Sequence, residues 1–261
     1  MLEVINRQPE TPQHQTPLLF VHGAWHGAWC WDEFFLPYFA EKGWSAHALS
    51  LRGHGNSPGR EKIRWHTVTG YVADVAEVAQ SLPARPVVIG HSMGGLVVQK
   101  YLETYHAPAG VLLAAVPPRG VIGTTLRLGR NHPGVLFKVN LTLSMQPVIG
   151  TQALAREMFF SEEMPEEEVA RYYGRLHNES FRAFNDMLWL NLPKPKKVKA
   201  PMLVLGGTKD TIFTVDEVKS TAAAYNTEAV FFNMAHDMML EADWKAVADH
   251  MMGWLRAQGI S

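Results

Sequence analysis

A serine stands at the centre of Gly90-His91-Ser92-Met93-Gly94, between a short apolar run and a stretch with helical spacing. Glycines on both sides of a serine permit the close backbone contacts of a sharp strand-to-helix turn. Such a turn would raise the Ser92 hydroxyl above the sheet edge and place the first N–H groups of the helix beside it. The pattern predicts a serine nucleophile. The alternative is an ordinary strand-to-helix turn that carries a small polar residue.

A serine hydroxyl is a weak nucleophile, so it requires a neighbouring base and a third group that orients this base. The chain contains twelve histidines, and the base must therefore be chosen by its position. His236 follows the apolar run Ala229–Phe232, and in an open α/β sheet the reactive groups lie at the carboxyl ends of strands. His236 is thus the predicted base. His250 falls inside the last helical pattern and is expected to be structural.

The acid is also selected by its position after a strand. Asp210 follows the apolar run Met202–Leu205, whereas no Asp or Glu follows Val111–Val116, the other plausible position. Asp216 and Glu217 are expected to begin the next helix, where acidic side chains are favourable. Asp210 is therefore the predicted partner of the histidine. The resulting order of serine, aspartate and histidine is one of the three known orders of such a triad.

A tetrahedral intermediate also needs two hydrogen-bond donors for its negatively charged oxygen. The backbone N–H of Met93 is the first candidate, because it follows the predicted nucleophile. The second is assigned to the backbone N–H of Ala24, in the loop after the first core strand. Gly23 allows the backbone of this loop to approach the serine closely.

These residues require a framework of strands and helices. Short apolar runs bounded by Gly or Pro are typical of parallel strands that are covered on both faces. They occupy Leu18–Val21, Ser45–Leu49, Pro86–Ile89, Val111–Val116, Met202–Leu205 and Ala229–Phe232. Helical patterns lie between and after them, at Tyr71–Leu82, Leu96–Tyr105 and Trp244–Leu255. The alternation predicts an α/β fold with a mostly parallel central sheet flanked by helices.

One region interrupts this alternation. Residues 117–192 contain no convincing strand, but they do contain helical patterns at Gln152–Phe160, Pro165–Leu176 and Ser180–Leu190. A single crossover needs far fewer residues, so we predict a helical lid at 117–192. The core domain is then formed by residues 1–116 and 193–261. A set of ordinary crossover helices is the alternative.

The predicted lid is rich in methionine and aromatic residues, which suggests an apolar acyl pocket with adaptable walls. The candidates are Met145, Met158, Phe159, Phe160, Met164, Phe181, Phe184, Met187, Leu188 and Trp189. Arg119, Arg127 and Arg130 lie near the start of the lid, but none is identifiably placed to bind a phosphate or carboxylate.

Composition excludes several classes of function. The chain has 261 residues, 47% of them hydrophobic, and a formal net charge of −1, which indicates one large domain and no nucleic-acid partner. No apolar run reaches the roughly 18 residues of a membrane span, and the N-terminus lacks the apolar region of a signal peptide. The single cysteine, Cys30, is expected to be packed, and a cytoplasmic location is expected. His22 and His26 lack a third ligand, so no metal site is predicted. The sequence does not define an oligomeric state.

The chain resembles the α/β-hydrolase superfamily over essentially its whole length. The resemblance rests on His22-Gly23-Ala24, Arg52-Gly53-His54-Gly55-Asn56-Ser57, Gly90 to Gly95, Asp210 and His236. Within the superfamily, these motifs are similar to the lysophospholipase and monoacylglycerol-lipase branch. Residues 22–31 are also similar to plant methylesterases and hydroxynitrile lyases. The resemblance implies ester hydrolysis without a cofactor and a structural role for the R-G-H-G turn, so that His54 is not a second catalytic base. This chain departs from the family pattern in one respect: few residues precede the first core strand, so the usual N-terminal hairpin is expected to be short or irregular.

The expected function is hydrolysis of carboxylic esters through an acyl-enzyme, with short- to medium-chain or monoacylglycerol-like esters as substrates. A serine nucleophile excludes relatives that need an aspartate, namely haloalkane dehalogenases and epoxide hydrolases. It leaves open a C–C bond hydrolase, a perhydrolase or a lyase with the same triad. A ligand receptor that turns over very slowly is a further alternative.

Overall fold

The computed structural model describes residues 1–261 and contains one seven-stranded sheet. In chain order its strands are β1 (Val4–Arg7), β2 (Leu18–Val21), β3 (Ala46–Leu49), β4 (Val87–His91), β5 (Gly110–Leu113), β6 (Met202–Gly207) and β7 (Ala229–Phe232). Their order across the sheet is β1-β3-β2-β4-β5-β6-β7. The β1–β3 pair is antiparallel and every other pair is parallel. The predicted fold class is confirmed.

Eleven α-helices accompany the sheet. They are α1 (Trp29–Asp32), α2 (Phe35–Glu41), α3 (Val68–Ser81), α4 (Ser92–Leu102), α5 (Ile122–Asn131), α6 (Pro133–Thr142), α7 (Gln152–Phe159), α8 (Glu166–Tyr173), α9 (Phe181–Asn185), α10 (Val215–Ala224) and α11 (Trp244–Ala257). Short 3₁₀ turns occupy Arg60–Trp65, Gln146–Ile149 and Pro195–Lys197, and a π-helical turn occupies Asp186–Leu190. None of the helices combines the length and the apolarity needed to cross a membrane.

The centre of the sheet is fully covered. All residues of β2 and β4 are buried, as their continuous apolarity predicts for strands with helices on both faces. Helix α4 packs against β2, β4 and β5, so it lies directly behind the turn that carries Ser92. Cys30 is buried in α1, as expected.

The N-terminal segment contains one element that the sequence analysis did not predict. Strand β1 pairs with β3 at the edge of the sheet, with Val4 opposite Leu49 and Arg7 opposite Ala46. It has only four residues, and half of them are exposed. The N-terminal part of the sheet is therefore a single short edge strand, with no hairpin partner of its own.

Between β5 and β6 the chain forms only helices and turns, in residues that we call the cap (117–192). Helices α7 and α8 correspond to predicted helical patterns. The pattern at Ser180–Leu190 is divided between α9 and the π-helical turn. Helices α5 and α6 were not predicted. Gly123 and Gly129 interrupt the helical signal of α5, since glycine disfavours a helix interior by roughly 1 kcal/mol.

Candidate active site

Ser92 lies at the sharp turn from β4 into α4. Its φ of 50° is in the left-handed region, which a non-glycine residue adopts only at an energetic cost. The turn is held partly by a 3.1 Å hydrogen bond from the Val116 N–H to the Ser92 carbonyl oxygen. A Cβ on Gly94 would lie 2.4 Å from the carbonyl oxygens of Val21 and His22, so only glycine fits between α4 and the end of β2.

Asp210 and His236 form a buried hydrogen-bonded pair. His236 Nδ1 lies 2.9 Å from Asp210 Oδ2, and the two side chains are 1% and 0% exposed. Asp210 Oδ1 accepts the backbone N–H groups of Ile212 and Phe213 at 2.7 and 3.0 Å, which fixes the carboxylate plane. Because Asp210 occupies Nδ1, the lone pair of His236 falls on Nε2, which is buried and has no hydrogen-bond partner.

His91 connects this pair to the turn that carries the serine. Its ring lies 4.7 Å from the ring of His236, and its Nε2–H donates to the His236 carbonyl oxygen at 3.0 Å. His91 immediately precedes Ser92, so the structure brings the two predicted catalytic segments together. No hydrogen bond joins the Ser92 hydroxyl to His236 in this state, and such contacts often tighten only when substrate is bound.

The loop after β2 lies directly against the serine turn. A Cβ on Gly23 would lie 2.7 Å from His91 Nδ1 and 3.1 Å from Ser92 Cβ, so this glycine permits the close approach that was predicted for it. Ala24, Ser92 and Met93 line one cavity. The predicted donors of the oxyanion site therefore belong to segments that meet at the serine.

The cavity beside Ser92 is small and apolar. It has a volume of about 70 Å³, and 13 of its 17 lining residues are hydrophobic. Met145, Met158, Phe184 and Met187 supply part of its wall, as the cap composition suggested. In contrast, Trp189 is 61% exposed and lies outside the wall.

Helix α5 forms another part of the same wall through Thr124, Thr125 and Leu128. Its residues were not singled out in the sequence, because the helix itself was not predicted. A larger cavity of about 400 Å³ lies elsewhere, lined by residues that include Phe34, Met164 and Trp244, and none of the predicted catalytic residues lines it.

Glu179 is the only charged residue of the wall beside Ser92, and it was not predicted from the sequence. It is 1% exposed, and its carboxylate accepts hydrogen bonds from His54 Nε2 at 2.9 Å and from the Tyr71 hydroxyl at 2.8 Å. Burial alone would raise the pKa of Glu179, but His54 and these donors hold that pKa below its ordinary value. His54 thus carries a buried contact to the cap, consistent with a structural role for its turn.

The other polar residues considered in the sequence do not line the cavity beside Ser92. Asp216 is exposed in the first turn of α10, and Glu217 forms a capping box with Thr214, so both act at a helix start as expected. His250 lies within α11. Arg127 pairs with Glu217 at 2.7 Å, which occupies its guanidinium.

One group of side chains has metal-ligand character. The ligand atoms of His91, His236 and Asp237 lie within 4.8 Å of one another, and all three residues are buried. Asp237 Oδ2 is hydrogen-bonded to His26, and His236 Nδ1 is hydrogen-bonded to Asp210. Each residue of the cluster also keeps one buried atom without a hydrogen-bond partner, namely His91 Nδ1, His236 Nε2 and Asp237 Oδ1. His22 and His26, considered in the sequence, have both ring nitrogens engaged by the protein.

Comparison with known proteins identifies the class. Residues 18–250 match the alpha/beta hydrolase family, and the chain belongs to that family. It is 37% identical over 113 residues to a non-heme chloroperoxidase from Burkholderia pyrrocinia, a match that covers 41% of this chain and 40% of that protein. It is 25% identical over 240 residues to a monoacylglycerol lipase from Mycolicibacterium smegmatis, covering 83% of this chain and 80% of the lipase.

The alignment with the chloroperoxidase thus spans less than half of each chain. Plant methylesterases are also among the relatives, as the motif after β2 suggested. A solved monoacylglycerol lipase from Paleococcus ferrophilus superposes with a TM-score of 0.72 at 21% identity, covering 99% of both chains. At that identity, the superposition shows a shared fold alone.

Proposed function

We propose that this protein is a serine hydrolase that cleaves carboxylic esters through an acyl-enzyme. The observation that carries the proposal is the Asp210–His236 pair, whose free Nε2 belongs to a segment packed against the Ser92 turn. In the proposed reaction His236 Nε2 takes the hydroxyl proton of Ser92 as the oxygen attacks the ester carbonyl. The Ala24 and Met93 N–H groups then donate to the oxyanion.

Collapse of this intermediate breaks the bond to the alcohol oxygen, which receives the proton from His236. Water then attacks the acyl-serine, gives its proton to His236, and releases the carboxylic acid and free Ser92. Each proton is taken and returned by one imidazole, so the cycle needs no cofactor. Asp210 holds the ring in the tautomer that makes Nε2 the acceptor.

The substrate class follows from the cavity. An apolar wall with one carboxylate, already surrounded by donors, favours a neutral acyl group over an anionic one. The volume of about 70 Å³ matches a short chain, and the methionines permit longer ones because their side chains readjust. We therefore propose neutral short- to medium-chain or monoacylglycerol-like esters.

The direct test is a panel of p-nitrophenyl esters of graded acyl length, assayed with and without EDTA. An amide and a substrate with a cleavable carbon–carbon bond are assayed under the same conditions. We expect steady ester turnover that EDTA does not change. Exclusive C–C cleavage, or loss of ester turnover in EDTA, would contradict the proposal. A stoichiometric burst followed by near-zero turnover would instead indicate a receptor that retains the triad.

A second candidate is a perhydrolase, which the chloroperoxidase relative favours. In a perhydrolase, hydrogen peroxide replaces water as the nucleophile that attacks the acyl-serine. The released product is then a peracid in place of a carboxylic acid. The two acceptors compete for one intermediate, so the ratio of peracid to acid at fixed peroxide and ester concentrations distinguishes the candidates. A ratio no greater than that of the uncatalysed reaction would exclude the perhydrolase.

A further inference from the structure

Behind the proposed catalytic residues lies a second buried layer formed by their near neighbours in the chain. His91 precedes Ser92, Asp237 follows His236, and His26 comes two residues after Ala24. These three side chains are each no more than 1% exposed. His26 Nε2 lies 2.9 Å from Asp237 Oδ2, which joins the loop after β2 to the loop that carries the base.

His26 shares with His54 a pattern in which both ring nitrogens face acceptors, and in this it differs from His22 and His91. Its Nδ1 lies 2.7 Å from the Ala24 carbonyl oxygen, and its Nε2 faces the Asp237 carboxylate. Both partners are acceptors, so both ring nitrogens must carry hydrogen for both contacts to be hydrogen bonds. An imidazole with two N–H groups is positively charged. Both contacts are hydrogen bonds at the same time only if His26 is an imidazolium, which would form a buried ion pair with Asp237.

The neighbouring groups support this protonation state. His22 accepts the Leu51 N–H at Nε2, so it is neutral, and burial lowers its pKa well below the ordinary value. Burial and the neighbouring His236 lower the pKa of His91 to about 3. Burial also opposes charge on His26, but the attraction of Asp237 raises its pKa overall, with a smaller contribution from Glu179.

The contact of His26 with Ala24 holds a strained part of the oxyanion loop. The peptide group between Ala24 and Trp25 has its carbonyl oxygen bonded to His26, while its N–H points to Glu179 Oε2 at 3.4 Å. Trp25 has a φ of 65°, a conformation that an aromatic residue avoids unless its surroundings impose it. A cation on one side and a carboxylate on the other thus fix this peptide group.

We propose that His26, kept protonated by Asp237, is a positioning residue that holds the loop of Ala24 in the geometry required to stabilise the oxyanion. This inference rests on the proposed function and extends it to two residues that no catalytic motif includes. Asp237 is linked to both His26 and His236. Its negative charge keeps the proton on His26, and it is the residue that follows the proposed base His236 in the chain. The pair therefore couples the position of the oxyanion donor to that of the base.

The first test needs no substitution and no substrate. In protein labelled with ¹⁵N-histidine, two-bond ¹H–¹⁵N spectra distinguish a ring with two N–H groups from either neutral tautomer. We expect the His26 signals to remain those of an imidazolium from pH 5 to pH 8, with His91 neutral throughout. A neutral His26 at pH 7 would overturn the proposal, whether or not the protein hydrolyses esters.

The second test compares His26→Asn and His26→Gln, with His47→Gln as the matched control. The Asn amide can reach the Ala24 oxygen in place of Nδ1, whereas the Gln amide reaches towards Asp237. His47 is a buried histidine of β3 whose Nε2 contacts Ser45. We expect His26→Gln to lower kcat by about 10²-fold, since a small displacement of a catalytic group has an effect of that size. We expect KM to stay within about twofold, because ground-state binding to the apolar cavity is unchanged.

His26→Asn should restore part of kcat. A boronic acid, which mimics the tetrahedral state, should lose affinity in parallel with kcat/KM. If the two His26 variants have equal melting temperatures, a difference in kcat between them is not caused by a difference in stability. If the two variants lose kcat equally, or if boronic acid affinity is unchanged, the positioning role is wrong. If wild-type protein turns over no ester, the proposed function fails and the spectra still decide the charge of His26.

Discussion

Asp210 Oδ2 lies 2.9 Å from His236 Nδ1, although the two residues belong to loops that are 26 positions apart in the chain. The pairing follows from the parallel register of β6 and β7, in which Gly207 stands opposite Phe232. Since both loops follow the carboxyl ends of neighbouring parallel strands, their polar side chains meet at that end of the sheet. The hydrogen bond from His91 to the His236 carbonyl oxygen joins the loop of His236 to the turn that carries Ser92.

Replacement of Ser92 by Ala is expected to lower kcat by about 10⁴-fold or more, since the acyl-enzyme can no longer form. A fluorophosphonate probe should label Ser92 in the wild-type protein and nothing in the variant, which mass spectrometry of the modified peptide would show. Labelling that persists in the variant would identify a different nucleophile.

Asp210→Asn is expected to lower kcat by roughly 10⁴-fold, because an amide at this position favours the wrong tautomer of His236. Asp216→Asn serves as the control, since Asp216 is exposed and also follows β6. Circular dichroism should show both variants folded. A greater loss of kcat in Asp216→Asn would show that the acid has been assigned to the wrong residue.

Met187→Ala is expected to shift the preferred acyl chain to greater length, since Met187 lines the cavity beside Ser92. Each additional buried methylene should favour binding by up to about 0.8 kcal/mol until the enlarged cavity is full. The measurement is kcat/KM across the p-nitrophenyl ester series. Met252→Ala is the control, because both methionines are 5% exposed and Met252 lies in α11, outside this cavity. The same shift in both variants would indicate general loosening of the fold.

Glu179→Gln is expected to destabilise the protein at pH 7 and to have progressively less effect in acid. The folded state holds the pKa of Glu179 below its ordinary value of 4.5, so its charge contributes stability above that pH. This contribution is lost as the pH falls through the lowered pKa, where protonated Glu179 resembles Gln. Urea unfolding of both proteins from pH 7 to pH 3 measures the difference.

Glu228→Gln provides the matched control for that experiment, because Glu228 is exposed and forms no ion pair. Its difference in free energy of unfolding from the wild type should stay near zero at every pH. A Glu179→Gln difference that does not change with pH would show that the carboxylate is not charged in the folded protein.

The sequence predicts the proposed catalytic residues because each follows an apolar run within a few positions. Ser92, Asp210 and His236 could be located by asking which polar residues follow parallel strands, without any knowledge of long-range contacts. The loop of Ala24 is predicted in the same way, because it follows the first core strand. The proposed catalytic residues all lie at the carboxyl ends of the parallel strands. The local pattern of an apolar run followed by a polar residue is therefore enough to predict them.

The missing parts depend on contacts between distant segments. Glu179 reaches His54 across 125 positions, and nothing in its local sequence distinguishes it from a solvated carboxylate. Strand β1 is short and half-exposed, so it lacks a continuous apolar run. The protonation of His26 depends on Asp237, which is 211 positions away and meets it only in the folded state.

Helix α5 contributes Thr124, Thr125 and Leu128 to the cavity wall but none of the proposed catalytic residues. Its opposite side is open, with Ile122 46% and Leu126 69% exposed, so no buried core depends on those positions. Two of its residues are constrained, because Thr124 and Arg127 donate hydrogen bonds to the carbonyl oxygen of Ile212, in the loop of Asp210. Selection, natural or in the laboratory, can vary the other positions of this helix while the proposed catalytic residues stay in place. New substrate preferences would then arise by exchange of one wall, and the ancestral chemistry would be inherited unchanged.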